Sequence, residues 1–127
     1  EFVTEKLTNE DLNLILYYLR AYLEQTKEVV YNKFIENLEE KIEEYIKENI
    51  RSVEVFPLEG TYLMWLDMRK TGFSKEELER RMKENFLYFD EGYIFGEEGA
   101  GFERWNIACP TKYIIDALPR LKKALED

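Results

Sequence analysis

The sequence predicts an α+β fold: a small mixed β-sheet of three to four strands packed by helices and preceded by an N-terminal helical segment. Two observations predict it. Apolar residues recur at helical spacing from Asn9 to Asn49, and neither glycine nor proline occurs between Phe2 and Phe56. After Asn49 the spacing changes to alternation, which is typical of half-buried strands. Helices are therefore expected first and strands afterwards.

The individual elements follow from this periodicity and from capping residues. Thr8 and Ser74 are suitable helix N-caps, and Glu77 completes a capping box with Ser74. The first two helical stretches, 9–25 and 27–49, are compatible either with two antiparallel helices or with one long bent helix. Later helices are expected near residues 74–85 and 111–125, and strands near residues 52–56, 61–67, 86–89 and 102–108.

Composition and charge restrict the function. The chain has 127 residues, of which 45% are hydrophobic, so it can form one small domain with a core. Its net charge of −9 argues against nucleic acid or an anionic membrane as partner. One cysteine and no histidine argue against a zinc site. The unpaired cysteine and the absence of an apolar leader lead us to expect a cytoplasmic location.

The stretch GYIFGEEGAGFERWNIACP, residues 92–110, contains the sharpest candidate site residue, Arg104. Strand alternation predicts one face with Phe102, Arg104 and Asn106, and an opposite face with Glu103, Trp105 and Ile107. The planar fork of arginine suits a carboxylate ligand, although a surface arginine paired with a glutamate is the simpler interpretation. Cys109 has no histidine to activate it, so we do not expect it to be catalytic.

Together with residues 60–67, this stretch resembles the C-terminal small domain of fold-type-I pyridoxal-phosphate (PLP) enzymes, specifically the aminotransferase and cystathionine β-lyase group. That group has the form G-x-x-F-G-x-x-G-x-G-F-x-R-L-N-x-A-C-P. The present chain departs from it with Trp105 in place of leucine. The resemblance is strong over about residues 55–125, weaker over 37–54 and absent over 1–34. It therefore implies a small domain at 35–127 and an N-terminal helical segment of unclear origin at 1–34.

The resemblance also implies site residues. Arg104 would hold the α-carboxylate of an amino-acid substrate, with Asn106 beside it. We expect Arg104 at the edge of the sheet, open to solvent and outside any buried ion pair. The lysine that binds PLP belongs to the large domain of the parent enzymes, so this chain alone is expected to hold no cofactor, no metal and no catalytic residue. Aminotransferase and C–S lyase activity both remain open.

Three alternatives follow for the protein as a whole. The chain is a piece of a split enzyme that is active with a missing large domain, a non-catalytic interaction module, or an engineered isolated small domain. The first helix, which is apolar on most faces over residues 9–25, predicts self-association in the second alternative.

Overall fold

A computed structural model describes residues 7–126 and divides the chain into two compact units, residues 1–34 and 35–127. The helices are α1 (Asn9–Asn49), α2 (Lys75–Glu84) and α3 (Thr111–Leu125). The strands are β1 (Glu54–Val55), β2 (Leu63–Asp67), β3 (Asp90–Glu91) and β4 (Phe102–Asn106). Three short 3₁₀ helices lie in the connections, at Arg69–Thr71, Gly92–Phe95 and Glu97–Gly99. The predicted α+β class is confirmed.

Helix α1 is a single helical element, which excludes the alternative of two antiparallel helices. Its start is capped as the sequence predicts. The Thr8 hydroxyl accepts a hydrogen bond from the Asp11 backbone N–H at 3.1 Å, and the Asp11 carboxylate accepts one from the Thr8 backbone N–H at 2.8 Å. Near Gln25 and Thr26, where the sequence left open whether the two helical stretches join, the Thr26 hydroxyl donates to the Tyr22 carbonyl one turn earlier, at 2.9 Å. Because no glycine or proline interrupts this segment, the helix continues.

The four strands form one sheet in the order β1-β2-β4-β3. All three neighbouring pairs are antiparallel. The sheet is therefore antiparallel, whereas we expected a mixed one. In the register, Trp65 of β2 lies opposite Arg104 of β4, and Asp90 of β3 lies opposite Arg104 from the other side. Arg104 is therefore on an inner strand, and our expectation that it lies at the sheet edge is wrong.

The predicted strand at residues 86–89 is also wrong, because β3 begins only at Asp90. The preceding residues complete the end of α2 instead. Phe86 adopts a left-handed conformation with φ 56°, and the Leu87 backbone N–H donates to the Met82 carbonyl at 2.9 Å. The Arg120 guanidinium of α3 donates to the Phe86 carbonyl at 2.8 Å. These backbone groups are thus used for helix capping and not for strand pairing.

The core of the second unit lies between one face of the sheet and helical residues. Met64 and Leu66 of β2 and Trp105 of β4 are almost completely buried. The large helical side chains buried in this unit are Ile35, Leu38, Ile42 and Ile46 from α1, Leu78 and Met82 from α2, and Ile114, Leu118, Leu121 and Leu125 from α3. The spacing of three or four residues in each helix is the period that the sequence predicted. The opposite face of the sheet carries Arg104.

No helix among residues 7–126 is long and apolar enough to cross a membrane.

Candidate functional site

Strand β4 presents two chemically different faces, as its alternation predicts. Trp105 and Glu103 are buried, with 6% and 2% of their surface exposed. Arg104, between them in sequence, points to the other side, where its side chain is 27% exposed. The face that carries Arg104 is therefore reachable by solvent, whereas the other face is part of the core.

Two contacts hold the Arg104 guanidinium in place. Its Nε and Nη2 both donate to the same oxygen of Asp90, Oδ2, at 3.0 and 2.9 Å. Its central carbon lies 4.3 Å from the centre of the Phe95 ring, within the range of a cation–π interaction. The Asp90 side chain is 45% exposed, so this ion pair is not buried.

Aromatic side chains surround Arg104 on its face of the sheet. The Trp65 ring packs edge-on against Phe95, with 5.6 Å between ring centres, and against Phe102, with 6.5 Å. Phe102 also stacks with Phe56 at 6.3 Å. Phe56 and Phe95 are each about half exposed. A positively charged guanidinium group among partly exposed aromatic rings favours an anionic ligand that also has an apolar portion.

Two cavities lie beside Arg104. One, of about 350 Å³, is bounded by the segment 86–90, the end of β4 and one side of α3. The other, of about 360 Å³, is bounded by the turn 56–61 together with Leu63 and Trp65. Both fall in the size range of small-ligand pockets, roughly 300–1,000 Å³. Among the described residues, no lysine lines either cavity, so the side chains present do not fit a PLP site.

Asn106 has a local structural contact. Its side-chain oxygen accepts a hydrogen bond from the Ala108 backbone N–H at 3.0 Å, in the turn that follows β4. The strand ends at Asn106, two residues before the predicted end, although the Ile107 N–H still donates to the Tyr62 carbonyl in the same register, at 2.9 Å. Asn106 is exposed and lines the first cavity. Its role beside a substrate carboxylate stays a prediction.

The glycine-rich segment before β4 is shaped by backbone contact. A Cβ atom added to Gly92 would lie 2.1 Å from the Gly99 carbonyl oxygen, and one added to Gly99 would lie 2.0 Å from the Gly92 carbonyl oxygen. Gly101 has φ +88°, a left-handed conformation that favours glycine. These glycines therefore allow the two short 3₁₀ helices to pack against each other and position Phe95 below Arg104.

Two carboxylates of the sheet, Asp67 and Glu103, are buried. The sequence did not indicate either of them as a site residue. Asp67 accepts hydrogen bonds from Arg69 Nε and Nη2 at 2.9 and 2.7 Å, and these bonds lower its pKa. Glu103 is different: burial, followed by repulsion from Glu91, Glu79 and Asp90, raises its pKa to about 8. The alternation of β4 was a signal for Glu103, because it places this residue on the same face as Trp105.

Neither nucleophilic nor metal chemistry finds support in the part of the chain that the structure describes. Cys109 is partly buried, and burial raises the pKa of its thiol, so the thiol stays protonated near neutral pH. No group of three or more acidic or cysteine side chains among residues 7–126 is arranged to hold a metal ion.

Known proteins are similar to this chain in sequence and in fold. The chain is 32% identical over 93 residues to the cystathionine β-lyase PatB of Bacillus subtilis, a match that covers 72% of this chain and 24% of PatB. Cystalysin from Treponema denticola, whose crystal structure contains pyridoxal 5′-phosphate, is 38% identical, with a TM-score of 0.69 over 73% of this chain and 24% of that protein. The matched part of the chain is a domain of the PLP-dependent aminotransferase and C–S lyase family.

The family match is to a part of the enzymes only. The chain spans about a quarter of the length of PatB and about a sixth of MalY of Escherichia coli, to which it is 38% identical over 68 residues. An aromatic aminotransferase from Pyrococcus horikoshii has the same fold over 80% of this chain, with a TM-score of 0.68 and 20% identity. No family model matches the chain. The resemblance to the family's small domain is thus supported both by sequence and by fold.

Proposed function

We propose that residues 35–127 are the small domain of a PLP-dependent enzyme that anchors the substrate carboxylate, and that Arg104 provides the anchor. The observation that carries this proposal is the position of Arg104. Its guanidinium is aimed by Asp90 and Phe95, is 27% exposed, and borders two cavities of ligand size. The cofactor and the catalytic residues belong to a large domain outside this chain, so the domain alone binds substrate but does not transform it.

The planar fork of Arg104 suits this role. Guanidinium groups donate two parallel, charge-assisted hydrogen bonds to a carboxylate, which fixes both the position and the orientation of the ligand. Fixing the carboxylate restricts the rotation of the attached Cα, and this orientation is what a reaction at Cα requires. Asn106, which lines the cavity next to Arg104, is placed to contact the same ligand. Aminotransferase and C–S lyase chemistry share this requirement.

Titration with L-alanine, followed by NMR, tests the proposal on the chain as it exists. We expect the indole N–H signal of Trp65, opposite Arg104 in the register, to shift with a dissociation constant of about 1 mM or weaker, because partly exposed ion pairs are weak. L-alaninamide, which lacks the carboxylate, is the matched ligand control. Equal shifts with both ligands, or none with L-alanine, would contradict the proposal.

A second function, self-association, is favoured by the first unit. Large apolar side chains on all sides of α1 between Leu7 and Tyr31 are 42–67% exposed. These side chains are Leu7, Leu12, Leu14, Ile15, Leu16, Tyr17, Tyr18, Leu19, Tyr22, Leu23, Val29, Val30 and Tyr31. Together they present on the order of 1,000 Å² of apolar surface. A standard interface needs about 800 Å² from each partner.

A second copy of the chain is the proposed occupant of this surface, because the same apolar residues on the two copies can cover each other. Charge does not select the orientation of the pair: Glu10 and Asp11 lie at the start of α1, and further along Lys27 and Lys33 alternate with Glu24 and Glu28.

Sedimentation tests this pairing. At tens of micromolar we expect a dimer, and we expect Leu19→Glu to produce a monomer, because it places a charge in the centre of the apolar surface. Tyr88→Glu, at a 75% exposed residue of the second unit, is the matched control and should remain a dimer. A monomeric wild type would contradict self-association through this helix.

A further inference from the structure

Asp90 occupies two of the hydrogen-bond donors that a substrate carboxylate could use. The register places Asp90 directly opposite Arg104, on the same face of the sheet. Both Nε and Nη2 of Arg104 donate to the single oxygen Oδ2. These two nitrogens form one of the two edges through which a guanidinium binds a carboxylate in a bidentate manner. A carboxylate of the chain itself is therefore already bound at the candidate site.

We propose that Asp90 is a built-in competitor for the substrate carboxylate: it holds the Arg104 fork until an amino acid displaces it. This inference rests on the proposed function of Arg104. It adds a residue that sets the affinity of the site, because every carboxylate ligand at this edge has to replace the bonds to Asp90.

Exposure makes the exchange feasible. The Asp90 side chain is 45% exposed, so a displaced carboxylate can be hydrated by water and does not become a buried unpaired charge. The Phe95 ring, 4.3 Å from the guanidinium carbon, stacks on the Arg104 guanidinium and holds its orientation whether Asp90 or a ligand is bound. The competitor therefore lowers affinity without removing Arg104 from the site, and it restricts binding to ligands with a carboxylate that matches the fork.

Neutralising Asp90 tests the inference. We compare acetate binding to the wild type and to Asp90→Asn, using the Arg104 Nε–Hε and Trp65 indole signals in NMR at constant ionic strength. An exposed ion pair contributes up to about a fivefold change in an equilibrium constant, so we expect Asp90→Asn to bind acetate about two- to fivefold more tightly. Before acetate is added, the Arg104 Nε–Hε signal of the variant should already differ from that of the wild type.

Glu91→Gln is the matched control, because Glu91 is the next residue of β3 and pairs with Glu103 on the opposite face. It removes the same charge from the same strand without touching Arg104, so its acetate affinity should equal that of the wild type. Equal affinities for wild type and Asp90→Asn, or an equal gain in both variants, would overturn the role of Asp90 and leave that of Arg104 intact. Absence of acetate binding in all three folded proteins would overturn both proposals.

Discussion

Gly92→Ala is expected to destabilise the second unit by about 3 kcal/mol or more, which puts it among the severe single substitutions. A Cβ at this position would lie 2.1 Å from the Gly99 carbonyl oxygen and 2.7 Å from that of Phe102. Both obstacles are backbone atoms, so a side-chain rotation cannot relieve the overlap. Either the 3₁₀ helices separate or β4 shifts, and each change exposes part of the core. Thermal unfolding should show a melting temperature lower by roughly 12–24 °C.

Gly60→Ala is the matched control for this prediction. A Cβ at Gly60 would meet no atom within 4 Å, and its backbone is not in the left-handed region. Its stability should change by no more than about 1 kcal/mol, because alanine only restricts the unfolded chain there. A Gly92→Ala protein that melts within a few degrees of the wild type would show that the contact between Gly92 and Gly99 is not tight.

The second large effect concerns Glu103, whose replacement by glutamine should stabilise the protein in a pH-dependent way. The pKa of this buried carboxyl is about 8 in the folded chain, compared with an ordinary value of 4.5. Between these values the unfolded chain has released the proton and the folded chain retains it. Stability is therefore full below about pH 4.5, falls as the pH rises, and reaches its minimum above about pH 8.

Glutamine does not titrate, so the advantage of Glu103→Gln should be near zero at pH 4.5 and about 2–5 kcal/mol at pH 8.5. Urea unfolding at the two pH values measures it. Glu59→Gln, at an exposed site, should show no such dependence. If the difference between Glu103→Gln and the wild type is the same at both pH values, the carboxyl is not held neutral by burial.

The sequence predicted the parts of the fold that depend on periodicity and local capping. The alternation of β4 correctly placed Arg104 and Glu103 on opposite faces, because side chains in a strand alternate regardless of the neighbouring strands. It did not predict the partner of Arg104. The short β3 begins at Asp90, and not at residues 86–89, because backbone groups there cap α2. A tertiary contact between Arg120 and that segment, which the sequence does not reveal, stabilises this arrangement.

The burial of Glu103 is a second feature that the sequence predicted only in part. Alternation indicated its face, but its pKa is raised first by its burial in the folded chain and then by Glu91 of β3 and Glu79 of α2, which approach from other parts of the sequence. In α1, periodicity indicated helix on both sides of Thr26, and continuity was left open because a polar pair such as Gln25 and Thr26 is compatible with either a turn or a helix. The function of Arg104 was suggested by resemblance, whereas its geometry is known only from the folded chain.

A chimeric enzyme tests the central claim, that Arg104 anchors the substrate carboxylate, most directly. The matched 93-residue stretch of PatB is replaced by the corresponding stretch of this chain, and cystathionine cleavage is measured together with PLP content. We expect an active, PLP-containing chimera in which Arg104→Lys raises KM at least about tenfold while PLP content stays unchanged, because lysine lacks the planar fork. A chimera whose KM does not respond to Arg104→Lys, or one that contains PLP but does not cleave cystathionine, would contradict the account.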